Sequence, residues 1–177
     1  PQASTPNDIS ICDTDNDGYY TVDLTAQSAA ILNSQNPAVF NIKYYTGLAN
    51  FNSGIAISNA TTYTNWAAYT KETIYAKVYH KNNEACYALT SFSLQVDETP
   101  MPGTNSTPLK LCDNNSVGSD TDGKVLINLT VKENELLNWQ SAAVFDLTNY
   151  TDPAYTTRIT NPTAYPNIKS PQTIYVK

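Results

Sequence analysis

This chain of 177 residues carries a formal net charge of −6, and nucleic acid is a poor partner for it because phosphate binding needs clustered lysine and arginine. Hydrophobic residues make up 41% of it and tyrosine occurs 13 times, which argues against a disordered chain. No apolar run approaches the ~18 residues of a membrane span. His80 is the single histidine, so no catalytic set of nucleophile, base and orienting group can be assembled. We therefore expect a protein that is neither an enzyme nor inserted in a membrane.

The sequence contains two tandem copies of one repeat unit. Six short motifs recur in the same order at a spacing of about 100 residues, and such a period is the signature of a repeat protein. The paired motifs are residues 11–13 and 111–113, 15–18 and 120–123, 22–25 and 127–130, 38–42 and 143–147, 57–63 and 159–165, and 73–75 and 173–175. We predict a first repeat over residues 1–98, a linker over residues 99–107 stiffened by its prolines, and a second repeat over residues 108–177.

The first strand of repeat 1 leads into an acidic loop. Asp13, Asp15 and Asp17 alternate with other residues, and Gly18 takes the sixth position of the motif. Carboxylates at positions 1, 3 and 5 can converge on one point, glycine at position 6 permits a sharp turn, and Ca²⁺ prefers several hard oxygen ligands. The motif predicts a calcium site; the alternative is a metal-free hairpin turn rich in aspartate, asparagine and glycine.

The rest of this loop departs from the EF-hand pattern. Position 12 is Leu24 rather than glutamate, and strands rather than helices are predicted on both sides. Asp23 lies one residue earlier and is a further candidate ligand, and the backbone carbonyl of Tyr19 is expected to contribute. Three carboxylates on one turn repel one another unless a cation gathers them, so we expect any calcium to stiffen the module.

The corresponding loop of repeat 2 is rearranged. Asp113, Asp120, Asp122 and Gly123 are present, but additional residues separate the first aspartate from the other two. Asn128 stands where repeat 1 has an aspartate. We keep the three aspartates as candidate ligands of a second calcium site, which the insertion would weaken or rearrange.

A short crossover helix is predicted after the loop in each repeat. Residues 25–32 supply it in repeat 1. In repeat 2, Thr130 and Glu133 have the spacing of a capping box, in which each side chain satisfies a free backbone N–H group. Leu136 and Leu137 would then face the core.

The later segments alternate apolar and polar residues with a period of two, which is typical of antiparallel strands with one wet face. About seven short strands per repeat, separated by turn residues, predict an all-β chain of two tandem immunoglobulin-like β-sandwich repeats, each with one short crossover helix. The alternating apolar positions are Phe40, Ile42 and Tyr44; Ile74, Ala76 and Val78; and Phe92, Leu94 and Val96.

Three cysteines fit the repeat pattern. Cys12 and Cys112 occupy equivalent positions, and Cys86 belongs to a part of repeat 1 that has no counterpart before Lys177. We therefore expect repeat 2 to lack its last strand or strands, one disulfide between Cys12 and Cys86, and no partner for Cys112. The alternative is three buried, reduced thiols in a cytosolic protein.

Trp66 and Trp139 are the two tryptophans, and they do not occupy equivalent positions. Stacking on a sugar is possible for an exposed indole, but packing in a core or at a sheet edge is the commoner use of a single tryptophan. We expect the second use for both.

The ordered frame of the repeats resembles a known family. In repeat 1 it runs from Ile-Cys-Asp at residues 11–13 and Val-Asp-Leu-Thr at residues 22–25 to Thr-Ile-Tyr-Ala-Lys-Val at residues 73–78 and Phe-Ser-Leu-Gln-Val at residues 92–96. This combination is similar to the repeat modules of large flavobacterial cell-surface adhesins of the SprB-like gliding-motility kind, which are exported by type IX secretion. The resemblance implies a long filament of repeats on the exterior of the bacterial outer membrane.

Two classes of function follow. The first is a non-catalytic, calcium-stiffened segment of a cell-surface adhesin for surface attachment and gliding motility. Its partners would be neighbouring repeats of the same chain and an external surface or polysaccharide. The alternative is an accessory or carbohydrate-binding β-sandwich module of a secreted enzyme. The fragment itself is expected to be a monomer.

Overall fold

A computed structural model describes residues 1–104 and 106–177. It divides into two compact units, Pro1–Thr99 and Pro100–Lys177. The division falls one residue after the predicted end of repeat 1. Apart from Thr99, the described part of the predicted linker belongs to the second unit; Asn105, within that linker, lies outside the described residues.

The first unit is built on a four-stranded sheet and a smaller two-stranded pair. The order in the larger sheet is β1-β6-β5-β3. β1 pairs with β6 in parallel, whereas β6 with β5 and β5 with β3 are antiparallel. The strands are β1 (Ile9–Asp13), β2 (Thr21–Val22), β3 (Phe40–Thr46), β4 (Tyr63–Thr64), β5 (Glu72–His80) and β6 (Asn83–Glu98), with β2 paired to β4.

Two α-helices and two 3₁₀ turns connect these strands. The crossover helix predicted over residues 25–32 is confirmed as the 3₁₀ turn Leu24–Gln27 followed by α1 (Ser28–Leu32). A second short helix, α2 (Leu48–Asn52), and the 3₁₀ turn Ala60–Thr62 come later in the chain.

The core of the first unit lies under the inner face of the four-stranded sheet. The period-two alternation is confirmed in β5 and β6, because Ile74, Ala76 and Val78 are buried, as are Phe92, Leu94 and Val96. All of these side chains except Val96 form one cluster with Tyr44 of β3 and with Val22, Leu24 and Ile31 of the segments outside the sheet. The outer face of the sheet carries the intervening polar and aromatic residues, as expected for a sheet with one wet side.

The described residues of the second unit follow the element order of the first from β2 to β5, without counterparts of β1 and α2 and with fewer residues in strands. Its elements are β7 (Leu126–Ile127), the 3₁₀ turn Leu129–Lys132, α3 (Glu133–Leu136), β8 (Asn149–Tyr150), the 3₁₀ turn Pro162–Ala164, β9 (Tyr165–Pro166) and β10 (Tyr175–Val176). β7 pairs with β9, and β10 pairs with β8, both antiparallel. Its buried cluster is small, with Leu129, Ile159 and Tyr165 at its centre.

The cap of the helical segment differs from the predicted capping box. The side chain of Asn128, not of Thr130, accepts the free backbone N–H, with Thr130 N as the donor at 3.0 Å. Asp23 does the same for Thr25 in repeat 1. The side chain that begins the turn is therefore two residues earlier than the capping-box spacing indicates, and Glu133 starts the α-helical turn instead of closing a box.

The chain is mostly β, in agreement with the sequence. None of the described helices is long and apolar enough to span a membrane.

Candidate metal loop and cysteine positions

The acidic loop connects β1 to β2 and is organised around Asp13. This last residue of β1 is 1% exposed. Its carboxylate accepts the backbone N–H of Gly18 at 2.6 Å and that of Asp15 at 3.2 Å. Gly18 has φ of +84°, and a β-carbon there would lie 2.4 Å from Cβ of Ala68. Glycine is required at this turn by both backbone conformation and space.

Asp15 and Asp17 extend from the same loop into solvent. Asp13, Asp15 and Asp17 each offer one carboxylate oxygen, and the three oxygens lie within 4.8 Å of one another. A half-buried group of three carboxylate oxygens is the kind of ligand set that Ca²⁺ takes. The spacing in the sequence therefore predicted correctly which side chains come together, while the presence of a metal stays a prediction.

The pKa values of Asp13 and Asp15 reflect the crowding of carboxylates in this loop. The hydrogen bond to Asp13 and repulsion from Asp17 raise the pKa of Asp15 above its usual value. Burial alone would raise the pKa of Asp13, but hydrogen bonds from Gly18, Asp15 and Asn16 outweigh it and hold that pKa below its usual value. The carboxylates thus repel one another in the absence of a cation, and a bound cation would relieve the repulsion.

The loop is also fastened to the C-terminal end of the first unit. Asn16 Nδ2 donates to the carbonyl of Thr99 at 2.9 Å, and Thr99 N donates to Asn16 Oδ1 at 2.8 Å. The hydroxyl of Thr99 donates to the carbonyl of Asp13. Ordering this loop therefore orders the point at which the chain leaves the unit.

Buried asparagines hold the base of the turn in both repeats. Asn65 donates to the carbonyl of Gly18 at 2.8 Å and accepts the N–H of Tyr20 at 2.7 Å. Asn167 donates to the carbonyl of Gly123 at 2.9 Å in the same way and accepts the N–H of Val125. Neither asparagine was predicted as a functional residue; the signal in the sequence is their common position, two residues after the paired Tyr63 and Tyr165.

The other predicted ligands of repeat 1, Tyr19 and Asp23, make hydrogen bonds within the same segment. Tyr19 donates its backbone N–H to Asp17 at 2.8 Å. Asp23 accepts the backbone N–H of Thr25 at 2.9 Å and its hydroxyl at 2.5 Å, which makes it a helix cap. Asp23 lies outside the group of three carboxylates; its role as a ligand, like that of the Tyr19 carbonyl, stays a prediction.

The predicted second site is not assembled in the same way. Asp113 accepts the N–H of Gly123 at 2.6 Å, which reproduces the Asp13–Gly18 contact. Asp122 accepts the N–H of Lys124 at 2.9 Å, as Asp17 does from Tyr19, but it also accepts the N–H of Ser119 in the inserted segment at 3.3 Å. Across residues 1–104 and 106–177, the group formed by Asp13, Asp15 and Asp17 is the one acidic cluster of this kind. Asp113, Asp120 and Asp122 form none, because the inserted residues place them on a wider loop.

The three cysteines are exposed and unpaired with one another. Cys12 lies opposite Asp97 in the parallel β1–β6 register. Cys86 is eleven residues earlier on the same strand β6. A strand rises about 3.3 Å per residue, so the two positions are about 36 Å apart, whereas a disulfide requires Cα atoms roughly 4.4–6.8 Å apart. The predicted bridge between Cys12 and Cys86 within one repeat is therefore wrong, and so is the alternative of buried thiols.

The aromatic residues divide into covered and exposed groups. Tyr79 is buried under the ammonium groups of Lys43 and Lys77, which lie 5.1 and 5.7 Å from its ring centre. The two tryptophans behave differently, because Trp66 is 68% exposed and Trp139 is 81% exposed. The expectation that both pack into a core or sheet edge is wrong.

These features define a mostly β, tandem-repeat protein with exposed thiols and one acidic turn. Residues 8–100 and 108–177 both match the family described as Flavobacterium inter-domain disulphide bond domain. Since the two matches together span most of the chain, the chain belongs to this family. No curated protein and no solved structure matches it.

Proposed function

We propose that this chain is a non-catalytic repeat segment of a flavobacterial cell-surface adhesin, on the exterior of the outer membrane. The observation that carries the proposal is the match of both repeats to a family named for disulphide bonds between domains. The exposed cysteines support it, because they cannot bridge within repeat 1 and are accessible to other domains. In its finer form the proposal includes an immunoglobulin-like sandwich in each repeat and a role in attachment and gliding.

The path of the chain through the first unit suggests which cysteine forms a disulfide with the preceding repeat and which with the following repeat. The N-terminal segment runs beside the middle of β6, with Thr5 bonded to Thr90 at 3.0 Å and Asp8 accepting from Ser93 at 2.7 Å. It continues in parallel with β6 to the exit at Thr99. Cys86 therefore lies toward the end at which a preceding repeat would attach, and Cys12 lies at the exit toward a following one.

A disulfide in a longer array would thus join the Cys12 position of one repeat to the Cys86 position of the next. In each bridge two thiols give up two protons and two electrons to a disulfide oxidant, which is reduced to two thiols. Such bonds would hold neighbouring repeats in line under load. They would also explain why the thiols are exposed.

A head-to-tail fusion of two copies of residues 1–107 tests this disulfide connectivity. With Cys112 absent, one version keeps only Cys12 of the first copy and Cys86 of the second; the matched control keeps only Cys86 of the first and Cys12 of the second. After oxidation with glutathione disulfide, non-reduced digests and thiol counts should show an internal bridge in the first version alone. The proposed connectivity is contradicted if both fusions form the internal disulfide equally or if neither forms it.

The placement on the cell surface has its own test. Antibodies raised against the chain should label intact cells of the source bacterium, and protease added to those cells should remove the label. Labelling that requires cell lysis would overturn the proposed location.

The alternative, an accessory module of a secreted enzyme, draws support from the exposed indoles of Trp66 and Trp139. It predicts glycan binding that Trp66→Ala or Trp139→Ala abolishes.

The proposal includes one structural calcium ion in the acidic loop of repeat 1. Asp13, Asp15 and Asp17 would hold one ion at the loop that clamps Thr99, so the ion would stiffen the exit of repeat 1. A stiff exit transmits force along an array with less loss of orientation between repeats. The structural role is proposed rather than a catalytic one, because the described residues around the loop offer no histidine and no nucleophile with a base.

A further inference from the structure

The outer face of the four-stranded sheet carries two lysines side by side. In the antiparallel register of β3 and β5, Lys43 lies directly opposite Lys77. Like charges directly opposite each other on one face of a sheet are destabilising. The first unit contains four lysines against nine aspartates and glutamates. Two of these four lysines thus form a local positive centre in an otherwise acidic unit.

A carboxylate neutralises one of these two charges. Nζ of Lys43 lies 2.7 Å from the carboxylate of Glu84. Lys77 takes part in neither of the ion pairs found within residues 1–104 and 106–177. Its ammonium group lies instead 4.8 Å from the ring centre of Tyr87 and 5.7 Å from that of Tyr79. Two aromatic rings therefore hold the charge of Lys77 in place without neutralising it.

Aromatic rings extend from Lys77 across the same face. Tyr87 is 48% exposed, and its ring meets that of Phe51 edge to face at 5.8 Å between centres. Phe51 of α2 in turn meets Tyr45 of β3 at 5.4 Å. Aromatic rings offer rigid, flat apolar surface, which matches the apolar C–H face of a sugar ring. The outer face thus combines this surface with a fixed ammonium group.

This combination favours a carbohydrate over a peptide as the partner. β5 lies between β3 and β6, so the centre of the face has no free backbone edge with which a peptide strand could pair. Acidic peptide motifs are typically bound by clusters of arginine, and the single arginine of the chain, Arg158, belongs to the second unit. A sugar that carries a carboxylate supplies both a ring for tyrosine and an anion for lysine.

We propose that this face binds an acidic polysaccharide built of hexuronic acid units. One uronate carboxylate pairs with Nζ of Lys77, and its sugar ring lies against Tyr87. Glu84 competes with the ligand for the two lysines and so limits the contribution of Lys43. The proposal rests on the adhesin role and adds to it the chemical class of the surface that repeat 1 contacts.

The probe is a fluorescent oligomer of galacturonic acid, titrated into the full 177-residue chain in the presence of a chelator. The chelator prevents calcium from bridging carboxylates of the ligand and of the acidic loop. We expect saturable binding by anisotropy that weakens as salt is added. An uncharged galactose oligomer and a glutamate oligomer with the same dye should each bind at least about tenfold more weakly, since the first lacks the charge-assisted hydrogen bond and the second lacks the ring.

Charge variants identify the lysine that binds. Lys77→Gln should weaken binding about tenfold, because a charge-assisted hydrogen bond is lost, whereas Lys77→Arg should retain binding. Lys124→Gln makes the same change of charge at an exposed residue of the second unit and should leave the Kd unchanged. Glu84→Gln should tighten binding, because it releases Lys43; a purely structural role of Glu84 predicts no such gain.

A tyrosine pair of similar exposure tests the contact with the sugar ring. Tyr87→Leu should weaken binding severalfold, and Tyr19→Leu, at a residue that is 46% exposed, should not. The proposal is overturned by no saturable binding, by equal binding of the galactose or glutamate oligomer, by equal effects within either the lysine or the tyrosine pair, or by no gain from Glu84→Gln. Each of these results leaves the cell-surface location untouched, because labelling of intact cells tests that location separately.

Discussion

At the scale of the residue, Gly18 and Gly123 provide a matched pair. They occupy the same turn with φ of +84° and +75°, so any L side chain is strained at both. A β-carbon at Gly18 would lie 2.4 Å from Ala68, whereas the nearest atom at Gly123 is 3.9 Å away. We expect Gly18→Ala to cost about 2–4 kcal/mol in repeat 1 and Gly123→Ala about 1–2 kcal/mol in repeat 2. Urea denaturation followed by hydrogen exchange of each unit measures both; equal losses would contradict the role of Ala68.

Asp152 gives the clearest pH dependence. It accepts backbone N–H groups of Thr157 at 2.6 Å, of Thr156 and of Ala154. The bonds from Thr157 and then Thr156 outweigh the effect of burial and lower its pKa from 3.8 to about 2. Because the folded pKa is depressed, the stabilisation is present above the ordinary value and is lost as pH falls through that value toward about 2. Carboxyl NMR should show the low midpoint, and Asp152→Asn should remove this part of the acid sensitivity; a midpoint near 3.8 would disprove the assignment.

At the scale of the element, local patterns were predictable and non-local register was not. The alternation in β5 and β6, the crossover helix and the meeting of three aspartates within five residues depend on neighbours along the chain. The Cys12–Cys86 bridge failed because it depends on the parallel register of β1 against the C-terminal half of β6. Period-two patterning is the same for parallel and antiparallel partners, so it carries no information on that register. The asparagine contacts across 47 and 44 residues were inaccessible for the same reason.

Equivalent core positions of the two units differ in exposure, and this difference predicts unequal sensitivity to truncation of the side chain. Ile74 of β5 is fully buried, whereas its counterpart in repeat 2, Ile174, is partly exposed. Ile74→Ala should cost about 2–4 kcal/mol, since the deletion leaves a cavity in a closed core. Ile174→Ala should cost less than half as much, because water already reaches its side chain. Unit-resolved hydrogen exchange gives both values, and a cost at Ile174 equal to that at Ile74 would mean that the second core is already closed.

At the scale of the whole molecule, the two units should unfold as separate transitions, because each has its own buried cluster. The larger cluster and the four-stranded sheet belong to the first unit, so its transition should come at the higher temperature. Only this unit carries the grouped carboxylates among the described residues. Calcium should therefore act on one transition and leave the other in place.

The calcium effect has a definite size. Extracellular sites commonly bind with Kd of roughly 10⁻⁴–10⁻³ M. A ligand that binds only the folded state stabilises it by RT ln(1 + [L]/Kd), so calcium at about 1 mM adds about 0.4–1.4 kcal/mol. For a unit of this length the upper transition should rise by roughly 2–11 °C. The double variant Asp15→Asn, Asp17→Asn should abolish the rise and keep the fold, while Asp120→Asn with Asp122→Asn should leave it unchanged. Calorimetry in chelator and in calcium gives the comparison: identical upper transitions would reduce the motif to a metal-free acidic turn, and a shift confined to the lower transition would place the ion in repeat 2.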